Sequence, residues 1–174
     1  MSGIRRLEPG DEAALREFLA ALPPGDLTFI KEEVGEPGLA AAWVADGRAV
    51  RGIAVEDGRV LGMAALIPGV GWSAHVGELR LVVHPAHRRR RLGSALARWA
   101  LLRAAERGLR KLTVEIVAER EAAEALFRNL GFQPEAVLVD QIRDREGEFR
   151  DLLLLAHQLD GNWSGMATLG LGGD

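Results

Sequence analysis

Cysteine and tyrosine are both missing from this 174-residue chain. Without cysteine there are no disulfides, no thiolate zinc or iron–sulfur centres and no cysteine acyl-enzyme, and a reducing compartment suits the protein. Without tyrosine, one common phenolic acid is removed from any mechanism. Long hydrophobic runs are lacking too: the longest apolar stretches, residues 39–45 and 152–156, fall far short of the roughly 18–20 residues that cross a bilayer. At the start of the chain, Arg5 and Arg6 are followed by Glu8, Asp11 and Glu12 instead of an apolar stretch, so no export signal is read and a cytoplasmic location is expected. A large excess of either charge is missing as well. The formal net charge of −3 is too small to suggest generic binding to nucleic acid or membranes, and neither is expected as a partner. The four histidines, His75, His84, His87 and His157, lack metal-ligand spacing, so no metal is expected.

What is present suits one globular domain: 48% hydrophobic and 27% charged residues on a chain long enough to bury a core. The domain is expected over residues 1–159. A glycine-rich tail without periodicity follows over 160–174.

The predicted order is strand, two helices, hairpin, strand, helix, strand, helix and two strands. Residues 4–8 read as a strand. Asp11 opens a helix carrying Leu15, Phe18, Leu19 and Leu22 at three- and four-residue spacing, and Asp26 caps a second, short one with Leu27, Ile30 and Val34 on one face. Asp57-Gly58 turns a hairpin over 50–67. Residues 75–83 form a buried strand ended by His84-Pro85, and residues 91–107 a helix closed by Gly108. Then come a strand over 111–117, a helix over 121–130 closed by Gly131, and strands over 137–142 and 152–156.

The chemistry concentrates in LRLVVHPAHRRRRLGSAL. Between His84 and Val114 there are eight arginines and Lys111 against Glu106 alone, a local charge of +8 that leaves −11 for the rest of the chain. A strand, a proline exit and a basic turn lead into a helix start, with Gly93 just inside it. The N–H groups at such a start are unpaired and the dipole is positive, so phosphate is the natural guest, with the glycine letting it come close. Neither the three-glycine dinucleotide fingerprint nor the P-loop pattern is present.

This segment resembles the GNAT superfamily of acyl-CoA-dependent N-acyltransferases, with its V-x-P followed by R/Q-x-x-G-x-G/A. Val83, Pro85, Arg88 and Gly93 match, while Arg91 replaces the middle glycine. Downstream, AAEALFRNLGF resembles the family's A-x-x-L-Y-x-x-x-G-F, with Phe127 in place of the tyrosine. The resemblance implies an α/β, GNAT-like fold with a mixed, mostly antiparallel sheet flanked by helices. It implies acetyl-CoA as acyl donor, a primary amine as acceptor, and direct attack in a ternary complex. A homodimer is compatible with it.

Residue by residue, the resemblance puts the pyrophosphate of coenzyme A on Arg89, Arg90, Arg91, Leu92, Gly93 and Ser94, with Arg88 neutralising charge. The pantetheine lies along Leu81, Val82 and Val83, where a backbone amide polarises the thioester carbonyl. Arg120 stands where many members have a cofactor-contacting asparagine, and Phe127 falls within reach of the cofactor or in the core. Glu115 matches the catalytic glutamate of the ribosomal-protein N-terminal acetyltransferases and Glu78 that of other branches. Either would relieve the amine of its proton, with desolvation raising the carboxyl pKa, and Glu115 is slightly favoured.

Plainer roles stand beside these. Glu78 and Arg80, two apart on a strand, would pair on one face. Trp72 lines the acceptor mouth or anchors its loop. The rival functions are a non-catalytic acyl-CoA sensor and, more remotely, a nucleic-acid-binding protein.

Overall fold

The computed structural model describes residues 3–27, 30–88 and 90–159, the side chain of Leu27 excepted. Among the described residues, seven strands form a single sheet in the order β1-β2-β3-β4-β5-β7-β6. They are β1 (Gly3–Arg6), β2 (Val50–Glu56), β3 (Arg59–Pro68), β4 (Val76–Val83), β5 (Lys111–Val117), β6 (Gln133–Arg143) and β7 (Phe149–Gln158). All neighbours pair antiparallel except β4 and β5, which are parallel. That mixed, mostly antiparallel arrangement is the fold the motifs implied.

The helices are α1 (Glu12–Ala20), α2 (Pro24–Leu27), α3 (Leu39–Ala45), α4 (Leu92–Glu106) and α5 (Glu121–Arg128). They cover the two faces of the sheet with two cores. On one face Leu92, Leu96, Ala97, Ala100 and Leu101 of α4 and Phe127 of α5 pack on Ala54, Ala64, Leu66 and Leu79. On the other, Leu15, Phe18 and Leu19 of α1 and Trp43 of α3 pack on Ile53, Val60 and Met63. The alternation of neighbours such as Ile53 and Ala54 between these cores is the period of two of a sheet buried on both faces. Each fully buried leucine contributes on the order of 1.5–3 kcal/mol relative to exposure.

Small residues set how closely α4 approaches. A Cβ on Gly52 would fall 2.5 Å from the Trp99 ring, a separation no side chain tolerates, so the indole packs directly on bare β2 backbone.

The hairpin forms as its dipeptide requires. Asp57 and Gly58 take φ of 49° and 76° between the paired Glu56 and Arg59, and two positive φ angles in a two-residue loop suit the twist of the flanking strands. Gly108 and Gly131 likewise take positive φ, 70° and 89°, just past α4 and α5.

Two local expectations are corrected. The short helix placed after an Asp26 cap lies instead over Pro24–Leu27, with Asp26 inside it. Proline is suited to the first helical position, so the helix starts there, and Ile30 and Val34 pack on the α1–α3 core from irregular backbone. The apolar stretch 39–45, strand-sized by its length, is α3, absent from the predicted order. Gly38, at φ 93°, turns the chain into it, and its run of alanines has the highest helix propensity. The expected tail over 160–174 lies outside the described residues.

No described helix is long and apolar enough to cross a membrane.

Candidate active site

The parallel ladder between β4 and β5 is short: Val76 pairs with Lys111, Gly77 with Leu112 and Glu78 with Thr113, and there it stops. Beyond that point the strands part. The residues from Leu79 to Val83 stay paired with β3 through Leu66, Ala65, Ala64, Met63 and Gly62, which leaves their β5-facing edge outside the ladder. Leu81, Val82 and Val83 thus line one side of a cleft whose backbone can accept an extended guest as if it were a further strand.

Glu78 and Glu115 flank the opening of this cleft. Alternation along β4 and β5 turns Leu79, Leu112 and Val114 into the α4 core, and so turns Glu78, Arg80 and Glu115 to the opposite face, towards α1–α3. Both carboxylates close on one cation: Lys31 Nζ lies 2.8 Å from Glu78 Oε1 and 2.6 Å from Glu115 Oε2. Arg80 donates to Glu78 through Nε at 2.9 Å and Nη2 at 3.2 Å, and through Nη1 to Glu32. The expected Glu78–Arg80 pair therefore forms, inside a larger alternating network.

The network decides the pKa directions. Burial pushes the Glu78 carboxyl up, but hydrogen bonds from Arg80 and Lys31 outweigh it and hold the group below the usual glutamate value. The expectation that desolvation raises it is corrected accordingly, because two cations face it. Burial works to lower the Lys31 pKa, yet Glu115 and Glu78 hold it above the ordinary lysine value.

Downstream of β4, a single turn of 3-10 helix over Pro85–His87 leads to α4, with His84 Nδ1 accepting from Ala86 N at 3.2 Å. The first N–H of the helical ladder is that of Ala95, bonded to Arg91 O at 3.0 Å. The amides of Leu92, Gly93 and Ser94 therefore have no place in it, and amides outside the ladder at a helix start suit an anion. Arg90 and Arg91 are exposed beside them. Arg89 lies outside the described residues. Arg88 points elsewhere: its Nη2 sits 2.7 Å from Oδ1 of the buried Asp26 and its Nε donates to Val83 O at 3.2 Å, so it ties the basic turn to α2. Arg120 approaches the same Asp26 oxygen at 3.6 Å.

Gly93 also has a packing task. A Cβ there would point at Leu126 Cδ1, 3.0 Å away, with Leu81 and Val83 behind. The missing side chain thus serves the packing of α4 on α5 and β4. Arg91, where the motif has its middle glycine, takes the left-handed conformation at φ 61°, which costs a non-glycine residue roughly 1–2 kcal/mol. Arg91→Gly is expected to raise the thermal midpoint by up to about 2–4 °C. A lower midpoint in a melting experiment would contradict this reading of the loop.

Phe127 is 3% exposed and packs edge-on against Phe132, 5.3 Å between centroids, so of the two placements expected it takes the core one. Trp72 is 95% exposed and anchors no packing. His75 is exposed too. No group of three metal-ligating side chains occurs among the described residues.

A narrow pocket beside the network is lined by Ile30, Glu32, Trp43, Met63, Arg80 and Val82. A larger cavity of about 350 Å³ lies between Ile4, Arg6, Val50, Trp99 and Arg103, on the α4 side of the sheet. That face is turned away from Glu78 and Glu115, and the cavity lacks a carboxylate pair, so size alone does not make it the site.

The basic-turn motif pointed to the helix start, and the family resemblance to both glutamates. They missed Lys31, which lies in the segment expected to form a short helix and is brought to the strands only by the tertiary fold.

The model of the acetyltransferase (GNAT) family matches residues 14–132, which span the cleft, the basic turn and α5. No curated protein is close enough in sequence to count as a relative. Among solved structures, yncA from Salmonella typhimurium, determined with its cofactor acetyl-CoA, superposes with a TM-score of 0.78 at 22% identity, over 92% of this chain and 95% of that one. A ribosomal-protein-alanine N-acetyltransferase from Brucella melitensis gives 0.76 at 23% identity, over 90% and 99% of the two chains. The ribosomal-protein-S18-alanine N-acetyltransferase of Escherichia coli gives 0.71 at 21%, over 92% and 95%. At these identities the likeness is one of fold.

Proposed function

Since the chain belongs to the GNAT acetyltransferase family, we propose that it transfers an acetyl group from acetyl-CoA to a primary amine by direct attack in a ternary complex. The observation that carries this reading is the convergence of Glu78 and Glu115 on a single ammonium where β4 and β5 part. An amine acceptor arrives as an ammonium, with a pKa near ~10.4 for a lysine-like group. It must be held and then deprotonated, and a carboxylate pair on the cleft wall does both.

The residues present also fit the donor. The amides of Leu92, Gly93 and Ser94, with Arg90 and Arg91 beside them, would hold its phosphates, and the unladdered edge of Leu81, Val82 and Val83 its extended arm. Bound there, acetyl-CoA supplies an activated acyl carbon and a thiol leaving group. A backbone N–H of β4 would stabilise the oxyanion as the tetrahedral centre forms. Glu115 is the preferred base. Arg80 already makes two hydrogen bonds to Glu78, whereas the one ion pair of Glu115 among the described residues is with Lys31. With Phe127 where the family has a tyrosine, water protonates the departing thiolate, which a thiol pKa of about 8.5 permits.

Thiol release from acetyl-CoA in the presence of a panel of primary amines tests the proposal. Turnover with at least one amine is expected, slower at acid pH because the amine is then more fully protonated. Tight acetyl-CoA binding without release on any amine would replace the enzyme with a sensor, for which the buried Phe127 would be the reason.

A further inference from the structure

The chain carries twenty arginines and two lysines, Lys31 and Lys111. At almost every place where a positive charge serves, an arginine supplies it: Arg5 with Asp11, Arg51 with Asp46, Arg88 with Asp26 and Arg150 with Asp144. An arginine would satisfy Glu78 and Glu115 at least as well through its planar fork, but it stays charged and is no acyl acceptor. The residue between the two carboxylates is instead one of the chain's two side-chain primary amines.

Its position is that of an acceptor. Nζ lies 2.8 Å from Glu78 and 2.6 Å from Glu115, on the side of the sheet where these groups would receive a substrate ammonium, at the point where the β4–β5 ladder ends. The side chain is 43% exposed, so it is not sealed into the core. Lys111, by contrast, pairs with Glu135 of the outer strand β6 and has no second carboxylate partner among the described residues.

We propose that Lys31 is an internal acyl acceptor, acetylated by the chain's own active site. This rests on the acetyl-transfer reading above and extends it. In the step, the Lys31 ammonium gives one proton to Glu115 or Glu78, and the Nζ lone pair forms a bond to the thioester carbonyl carbon. The carbon–sulfur bond then breaks and its electron pair leaves with sulfur. Nitrogen loses its second proton, the thiolate takes one up, and the balance is one amide, one free coenzyme A thiol and one proton released to solvent. The acetylated side chain is neutral and can no longer bridge two carboxylates. Glu78 and Glu115 are thereby left for an incoming ammonium, and the modification opens the acceptor site.

The groups facing Lys31 are Glu78 from β4 and Glu115 from β5, with Arg80 and Glu32 behind Glu78. Both carboxylates favour the ammonium, so the modification is expected to quicken with pH, about tenfold per unit from neutrality upward, in step with the fraction of free amine.

The test is intact mass and peptide mapping after incubation of the full chain with acetyl-CoA and no added amine, at several protein concentrations, alongside Lys31→Arg. One acetyl group is expected, on Lys31 and not on Lys111, at a first-order rate independent of protein concentration, and none on Lys31→Arg. Equal labelling of Lys111, or a rate that falls on dilution, would overturn the proposal. So would an unmodified chain that binds acetyl-CoA by calorimetry and acetylates a free amine, and that outcome would leave the transferase reading intact. A chain that binds no acetyl-CoA would overturn both.

Discussion

Glu115→Gln is expected to lower kcat for amine acetylation by about 10²–10³, within the range for loss of a general base. Glu78→Gln is expected to act mainly on the acceptor's KM. The asymmetry comes from the partners of the two carboxylates. Glu78 is braced by two hydrogen bonds from Arg80, and its pKa is held below the ordinary glutamate value despite burial. A group so stabilised as an anion is a weak proton acceptor but a good counter-ion. Glu115 lacks that brace. The amide of glutamine keeps the shape of the site while removing the charge, so a melting curve close to that of the unaltered chain separates catalysis from folding. Unchanged kcat in both variants would remove the carboxylate pair from the mechanism.

The same network sets a pH window for stability. The Glu78 pKa is depressed in the folded state, so its contribution is complete above the unfolded value of about 4.3 and is lost as pH falls through the folded one. The Lys31 pKa is raised, so its contribution is complete below the unfolded value of about 10.4 and is lost as pH rises through the folded one. The clamp is therefore fully formed across the neutral range.

Charge reversal at the basic turn, Arg90→Glu with Arg91→Glu, is expected to weaken acetyl-CoA binding by about 100-fold or more. Hydrogen bonds to charged groups contribute about 1.5–3 kcal/mol each, and each 1.4 kcal/mol is a factor of about ten. Both side chains are exposed, so the fold is expected to survive. They are better probes than Gly93, where any side chain would press on Leu126 and confound binding with packing. Affinity that is unchanged, and equally insensitive to salt, would mean that the arginines do not meet the phosphates.

The parts of this structure legible in the sequence are those written in local chemistry. Asp57-Gly58 encodes its turn because both positions need positive φ. Helix α4 shows its period and its closing Gly108, and β4 ends where Pro85 cannot donate to a ladder. Helix α3 was hidden because LAAAWVA is short and apolar throughout, and such a run does not distinguish a strand from a buried helix by periodicity. The helix start was visible because it belongs to a motif with fixed spacing, and the glutamates because the family resemblance carries them onto their strand positions. Lys31 was not, since its role arises from a segment forty-odd residues before β4 folding over two strands that are themselves far apart in the chain. The packing task of Gly93 was hidden for a related reason: sequence shows that a side chain is missing but not which neighbour needs the space.

The central claim is that the cleft between β4 and β5, with the start of α4, is an acetyl-CoA site. Calorimetric titration of the purified chain with acetyl-CoA and with coenzyme A tests it most directly. Micromolar binding of both, at one site per chain and lost on Arg90→Glu with Arg91→Glu, is the predicted result. A well-folded chain that takes up neither would contradict the account.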